Sequence, residues 1–112
     1  MSELVQLHCV MVTPRTPRLD QKEIDRLIAQ IHGWQIISKD EVPRLEKVFR
    51  FTNFKGALIF SNQVGQVADA ENHHPALLTE WGKVTVSWWT HAIHGLHLND
   101  FIMAARTDDL MK

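Results

Sequence analysis

The chain has one cysteine and no tyrosine among its 112 residues, and only five glycines and four prolines. A lone Cys9 cannot close an internal disulfide, which agrees with a reducing, cytoplasmic setting. The glycines are scattered singly, so no glycine-rich loop of the kind that cradles phosphate is present. No serine occupies a G-x-S-x-G elbow, and Cys9 lies in what reads as an N-terminal extension, so nucleophilic catalysis lacks its usual parts. Neither sign of charge dominates: 12 Lys and Arg stand against 13 Asp and Glu, a formal net charge of −1. That balance excludes a broad electrostatic grip on nucleic acid or on an anionic membrane. No apolar run approaches the roughly 18 residues of a membrane span. MSELVQLHCVMV has neither a positive n-region nor a small-residue cleavage site, so it does not read as a signal peptide. The expectation is one cytoplasmic domain, long enough to bury a core without staples.

Against these absences stand seven His and four Trp. Five of the seven His fall between His73 and His97. The pattern of elements tells where they sit. Residues 1–19 read as a loosely packed extension broken by TPRTPR. Asp20 then opens a capping box with Glu23, and Ile24, Leu27, Ile28 and Ile31 follow at helical spacing up to Gly33. WQIIS, a turn at KDEVP and LEKVFRF form a first hairpin. A second helix runs from Phe54 to about Glu71, with Ala57, Leu58, Ser61, Val64 and Ala68 in its repeat. LLTEW and KVTVSWW form a second hairpin about Gly82-Lys83, and Leu98, Phe101, Ile102 and Ala105 mark a last helix. The order α-β-β-α-β-β-α predicts an α+β fold, an antiparallel sheet with its helices on one face. The other sheet face is then left for solvent, a ligand or another subunit.

ENHHPALLTEW sets His73 and His74 side by side before Pro75. The proline favours extended backbone at His74, so adjacent imidazoles point to opposite sides and share one tetrahedral metal ion only with difficulty. General acid–base chemistry suits them better, because imidazole changes charge near neutral pH. A two-residue turn at Gly82-Lys83 places Ala76 opposite Trp89 and Pro75 opposite Thr90, and so returns His91 to the end where His73 and His74 stand. A cleft there, floored by Trp81 or Trp89, suits a flat, polar, aromatic small molecule. For any single one of these histidines, ordinary packing or solvation is the competing explanation.

The residues also resemble the pterin-4a-carbinolamine dehydratase family. The resemblance rests on Asp69 ahead of the His73-His74-Pro75 triplet, then Trp81, the Thr90-His91 pair and Asp100 nine positions on. Gly33-Trp34, the F-x-F-x-x-F-x-x-A-x-x-F stretch from Phe49 to Phe60 and KVTVSWWTH add to it, so that it spans about Asp20 to Asp109. It implies a four-stranded antiparallel sheet with helices on one side, in a domain over residues 20–112. The implied reaction removes water from 4a-hydroxytetrahydropterin to give the quinonoid dihydropterin, recycling pterin for an aromatic amino acid hydroxylase without metal or organic cofactor. By the same resemblance His73 and His91 form the acid–base pair, with their individual roles open, and His74 orients the pterin. Asp69 and Asp100 would help by hydrogen bonding, and Trp34 and Trp81 would wall the pocket. A homodimer or homotetramer is implied, with no nucleic acid or membrane partner. Two alternatives stand beside it: a non-catalytic dimerisation module docking on a hydroxylase or transcription factor, and a relative acting on a molybdopterin-related compound. Three departures from the pattern are Asn72 in place of an acidic residue, His97 in place of a hydroxyl N-cap, and an unmatched N-terminus.

Overall fold

The structure, a computed structural model, describes residues 3–112. Helix α1 (Gln21–Ile28) starts at Asp20, whose side chain accepts the Glu23 N–H while Glu23 returns a bond to the Asp20 N–H. This is the capping box expected from the spacing. The helix stops at Ile28, earlier than expected, with Ala29 as its C-cap. Ile31 is still buried, but from an irregular segment, and Gly33 uses its positive φ of 83° to turn the chain into the sheet rather than to cap a helix.

Strands β1 (Gln35–Lys39) and β2 (Val42–Arg50) are joined by Asp40 and Glu41, both at positive φ, a tighter turn than KDEVP suggests. Helix α2 (Phe54–Glu71) follows, capped by the Asn53 side chain. Strands β3 (Ala76–Glu80) and β4 (Lys83–Trp88) form the second hairpin, and helix α3 (Leu98–Asp109) closes the chain. The order is α-β-β-α-β-β-α, and the four strands lie antiparallel in the order β1-β2-β4-β3. Period-2 alternation sends Leu45, Phe49, Val84, Val86 and Trp88 to the helix-covered face, all buried. Phe60, Val64 and Ala68 of α2 and Phe101, Ile102 and Met103 of α3 complete that core. Phe54 and Leu58, placed by the helical repeat on the same face as Ala57, are instead exposed; Phe60 takes the core position. Val48 and Leu78 stand exposed on the outer face of the sheet.

Two further expectations need correction. The second hairpin turns on Trp81-Gly82, not Gly82-Lys83, because Gly82 supplies the positive φ of 78° that the turn needs. Ala76 therefore pairs with Ser87, a slip of two residues that keeps every side chain on its face. The N-terminal segment is also not loose. Leu4 is buried in the core, the Leu7 carbonyl accepts from Arg106 Nε at 3.0 Å, and Asn99 grips the Val10 backbone on both sides. Backbone hydrogen bonding to polar side chains, invisible to a hydrophobic pattern, holds it there.

Candidate active site

Helix α3 begins with His97 as N-cap, its Nδ1 accepting the Asn99 N–H at 3.0 Å. Asp100, three residues on, accepts the His97 N–H at 2.9 Å, so an imidazole and a carboxylate build the capping box that a hydroxyl residue and Glu more often supply. The same Asp100 Oδ2 accepts from Thr90 Oγ1 at 2.8 Å, and Oδ1 accepts from His73 Nε2 at 2.6 Å. The carboxylate is fully buried and meets three donors. An ionised carboxylate can only accept, so His73 carries a proton on Nε2 and leaves Nδ1 as the nitrogen open to a ligand.

His73 reaches this position because Asn72 ends α2 in the left-handed conformation, φ 52°. Asn tolerates that geometry, and the His73 N–H closes the helix on the Ala68 carbonyl at 3.1 Å. The imidazole then lies parallel to the Trp88 indole, centroids 5.8 Å apart, with only 7% of the residue exposed. His74 points the other way, as its extended geometry requires: it is exposed and bonds Asp69 at 2.9 Å. The adjacent histidines are thus physically unlike, one locked and buried, one solvated.

His91 follows Thr90 and opens a short 3-10 turn (His91–Ile93). It is exposed, and its ring packs on Trp89 at 4.5 Å. Thr90, tied to Asp100, keeps His91 at the same end of the sheet as His73. The Arg44 guanidinium lies 3.7 Å above the Trp89 ring. Trp81 stands at the opposite end of the hairpin, 73% exposed at the turn. Trp34 is buried against Phe49 and donates Nε1–H to Asp108 at 3.0 Å. Asp108 sits two helical turns beyond Asp100, about 12 Å along α3. Within the chain, His73, Asp100 and Thr90 are bonded together; Trp34 and Trp81 do not join them.

A cavity of about 320 Å³ opens at His73, lined also by Cys9, Val10, Val12, Glu71 and Asn99. This is at the low end of small-molecule sites. A larger cavity, about 1080 Å³, lies near Ile31, Lys47 and Asp108 and includes none of the paired histidines. Volume alone favours the larger one, but of the paired histidines it is His73 that lines the smaller, with His74 and His91 outside its lining. Glu71 and Asn99 escape sequence reasoning, because a charged helix end and a polar helix start look like solvated surface. In space Glu71 accepts from His8 Nδ1 at 2.8 Å and from the Cys9 N–H at 2.7 Å. The His8 bond, then the Cys9 bond, hold its carboxyl below the usual range. Burial, reinforced by the Glu71 and Asp100 charges, pushes the Cys9 thiol up to about 12. Burial holds His97 below the usual imidazole range, with the Asp100 charge opposing it. Among the described residues no three His, Cys, Asp or Glu side chains gather as a metal-binding set, and no helix is long and apolar enough to cross a membrane.

An α+β layer with a carboxylate-anchored histidine at the meeting point of α2, β4 and α3 defines the class: an antiparallel sheet with a buried histidine–aspartate pair at one end. The chain belongs to the family described as pterin 4 alpha carbinolamine dehydratase, whose model matches residues 17–110. A Microcystis aeruginosa relative, provisionally named a pterin-4-alpha-carbinolamine dehydratase, is 53% identical over 112 residues, covering 100% of this chain and 97% of its own. One from Nitrosococcus oceani with the same provisional name is 52% identical, covering 100% of this chain and 99% of its own. Among solved structures, a transcriptional coactivator/pterin dehydratase from Brucella melitensis superposes with a TM-score of 0.77 at 26% identity, over 86% of this chain and 100% of that one. A pterin dehydratase-like protein identified as a RuBisCO assembly factor shares the fold, with a TM-score of 0.60 at 22% identity, over 70% of this chain and 89% of that one.

Proposed function

We propose that the chain dehydrates 4a-hydroxytetrahydropterin to the quinonoid dihydropterin by histidine acid–base catalysis. The observation that carries this reading is the His73–Asp100 bond at 2.6 Å, with Asp100 fully buried. Loss of the C4a hydroxyl needs a proton delivered to the departing oxygen and a ring N–H proton taken up. One imidazole accepts while the other donates, water leaves, and the protein ends with its protons redistributed but none gained. His73 presents Nδ1 because Asp100 occupies Nε2, and Trp88 keeps the ring plane fixed. His91 is exposed and free to meet the other proton, and His74, oriented by Asp69, holds the pterin from outside. The chain's own Trp34 and Trp81 take no part in this mechanism. The product would return to an aromatic amino acid hydroxylase in the cytoplasm. The exposed apolar Phe54, Leu58 and Ile59 of α2 are the surface through which copies would form a dimer or tetramer.

The test is stopped-flow absorbance of 4a-hydroxytetrahydropterin decay. Wild type accelerates decay over buffer, and His73→Ala loses on the order of 10²–10⁴-fold of that acceleration. No acceleration by wild type, or a His73→Ala loss under about threefold, would sink the reading.

The same exposed apolar residues of α2 favour, in place of self-association, a second role in docking on another protein, and this is compatible with dehydration. It predicts that association survives His73→Ala combined with His91→Ala and fails on Leu58→Glu.

A further inference from the structure

The segment from His8 to Val12 is held by more polar bonds than its own packing explains. Asn99, 2% exposed, spends both ends of its amide on one residue: Oδ1 accepts the Val10 N–H at 3.0 Å and Nδ2 donates to the Val10 carbonyl at 2.8 Å. Glu71 spends both carboxylate oxygens on the neighbouring residues, on the Cys9 N–H and on His8. Yet Val10 and Met11 contribute nothing to the core: they are 62% and 91% exposed. The segment's apolar packing against the core comes from Leu4, Val5 and Cys9. A backbone held rigidly while its apolar side chains stand in water is the arrangement of a surface waiting for an apolar contact. That surface borders the cavity that opens at His73.

We propose that Val10, Met11 and Val12 form one wall of the substrate pocket and receive the face of a flat, uncharged heteroaromatic ring, with Asn99 and Glu71 as positioning residues. This rests on the pterin reading above and extends it to residues ahead of the matched segment 17–110. The geometry separates labour in the site. His73 and its carboxylate handle protons, and the N-terminal segment supplies binding that is equal in ground and transition states. Such uniform binding appears in KM and leaves kcat alone.

The variants are Val10→Asp and Met11→Asp, whose side chains are exposed and whose backbone bonds remain, so the fold is not at risk. Affinity for 7,8-dihydrobiopterin is read by quenching of tryptophan fluorescence, and turnover by stopped flow, with thermal unfolding as the control. Each variant weakens binding and raises KM by about tenfold, the scale expected when an apolar side chain is withdrawn from the ring and a charge is set against it. Melting temperature and kcat stay within error. Asn99→Ala shifts KM in the same direction and leaves the pH profile of kcat in place. If wild type turns over the pterin and both aspartate variants keep its Kd and KM, the wall is refuted and the dehydratase reading stands. If wild type neither binds nor turns over the pterin, both readings fall together.

Discussion

Replacing Asp100 by Asn changes one atom and should disable both the helix start and the site. Every group that meets this side chain is a donor: His73 Nε2, Thr90 Oγ1 and the His97 N–H. An amide offers one acceptor oxygen and one NH₂, so at least one donor faces another donor. Hydrogen bonds to a charged acceptor contribute about 1.5–3 kcal/mol each, and Asp100 is fully buried, so no water replaces the missing bond. A destabilisation of about 2 kcal/mol follows, a fall of roughly 10 °C in Tm for a domain of this size. The least costly rearrangement turns the NH₂ toward His73, which then accepts at Nε2 and carries its proton on Nδ1. That is the reverse of the native tautomer, and it puts a hydrogen where the site offers a lone pair. A wrong tautomer of this kind costs up to ~10⁴ in rate in serine protease triads; at least about hundredfold is expected here. Urea unfolding reports the first effect and stopped-flow dehydration the second. An Asp100→Asn protein with unchanged Tm and turnover within about threefold of wild type would refute the reasoning, because neither the charge nor the tautomer would then matter.

Removing the N-cap acceptor by His97→Ala should cost about 1 kcal/mol, whereas His97→Ser should hold within ~0.5 kcal/mol, both by urea unfolding. Glu71 has its folded-state carboxyl held down by His8 and Cys9, so its contribution is present above the unfolded carboxylate pKa and is lost as pH falls through the lower folded value. Melting curves of wild type and Glu71→Gln should therefore differ at pH 6 and converge in acid; a gap constant over pH counts against the tether. With its thiol pushed up to about 12, Cys9 should carry about a thousandfold less thiolate at pH 8 than its ordinary value of 9.0 allows, so iodoacetamide labels it slowly. Glu71→Gln should speed that labelling. Trp34→Phe forfeits the bond to Asp108 at a cost of about 1 kcal/mol in unfolding while leaving dehydration intact.

Periodicity made the architecture legible: the seven elements stand in the expected order because alternating Val84, Val86 and Trp88 and the helical repeat of α3 encode burial directly. Boundaries were less visible where one glycine had two possible jobs. Gly82 fits either turn residue of a hairpin, and only the pairing of β4 with both neighbours selects the register. The unlike fates of His73 and His74 were legible from Pro75, since extended backbone sends neighbours to opposite sides. Asp100 entered through family resemblance; its three donors converge from α2, β4 and α3, and no local pattern announces such a meeting. The N-terminal segment was unreadable for the same reason, its anchors being polar side chains 62 and 89 residues away in the chain.

Asp100 belongs at once to the first turn of α3 and to the imidazole of His73, which gives the chain a built-in order of maturation. His73 lies 27 residues before Asp100, farther than any strand pair within either hairpin, so the site is complete only once α3 has docked. A chain with its sheet formed and α3 not yet docked would have every residue of the site and no oriented nitrogen. Recovery of turnover during refolding would then report the docking of the last helix.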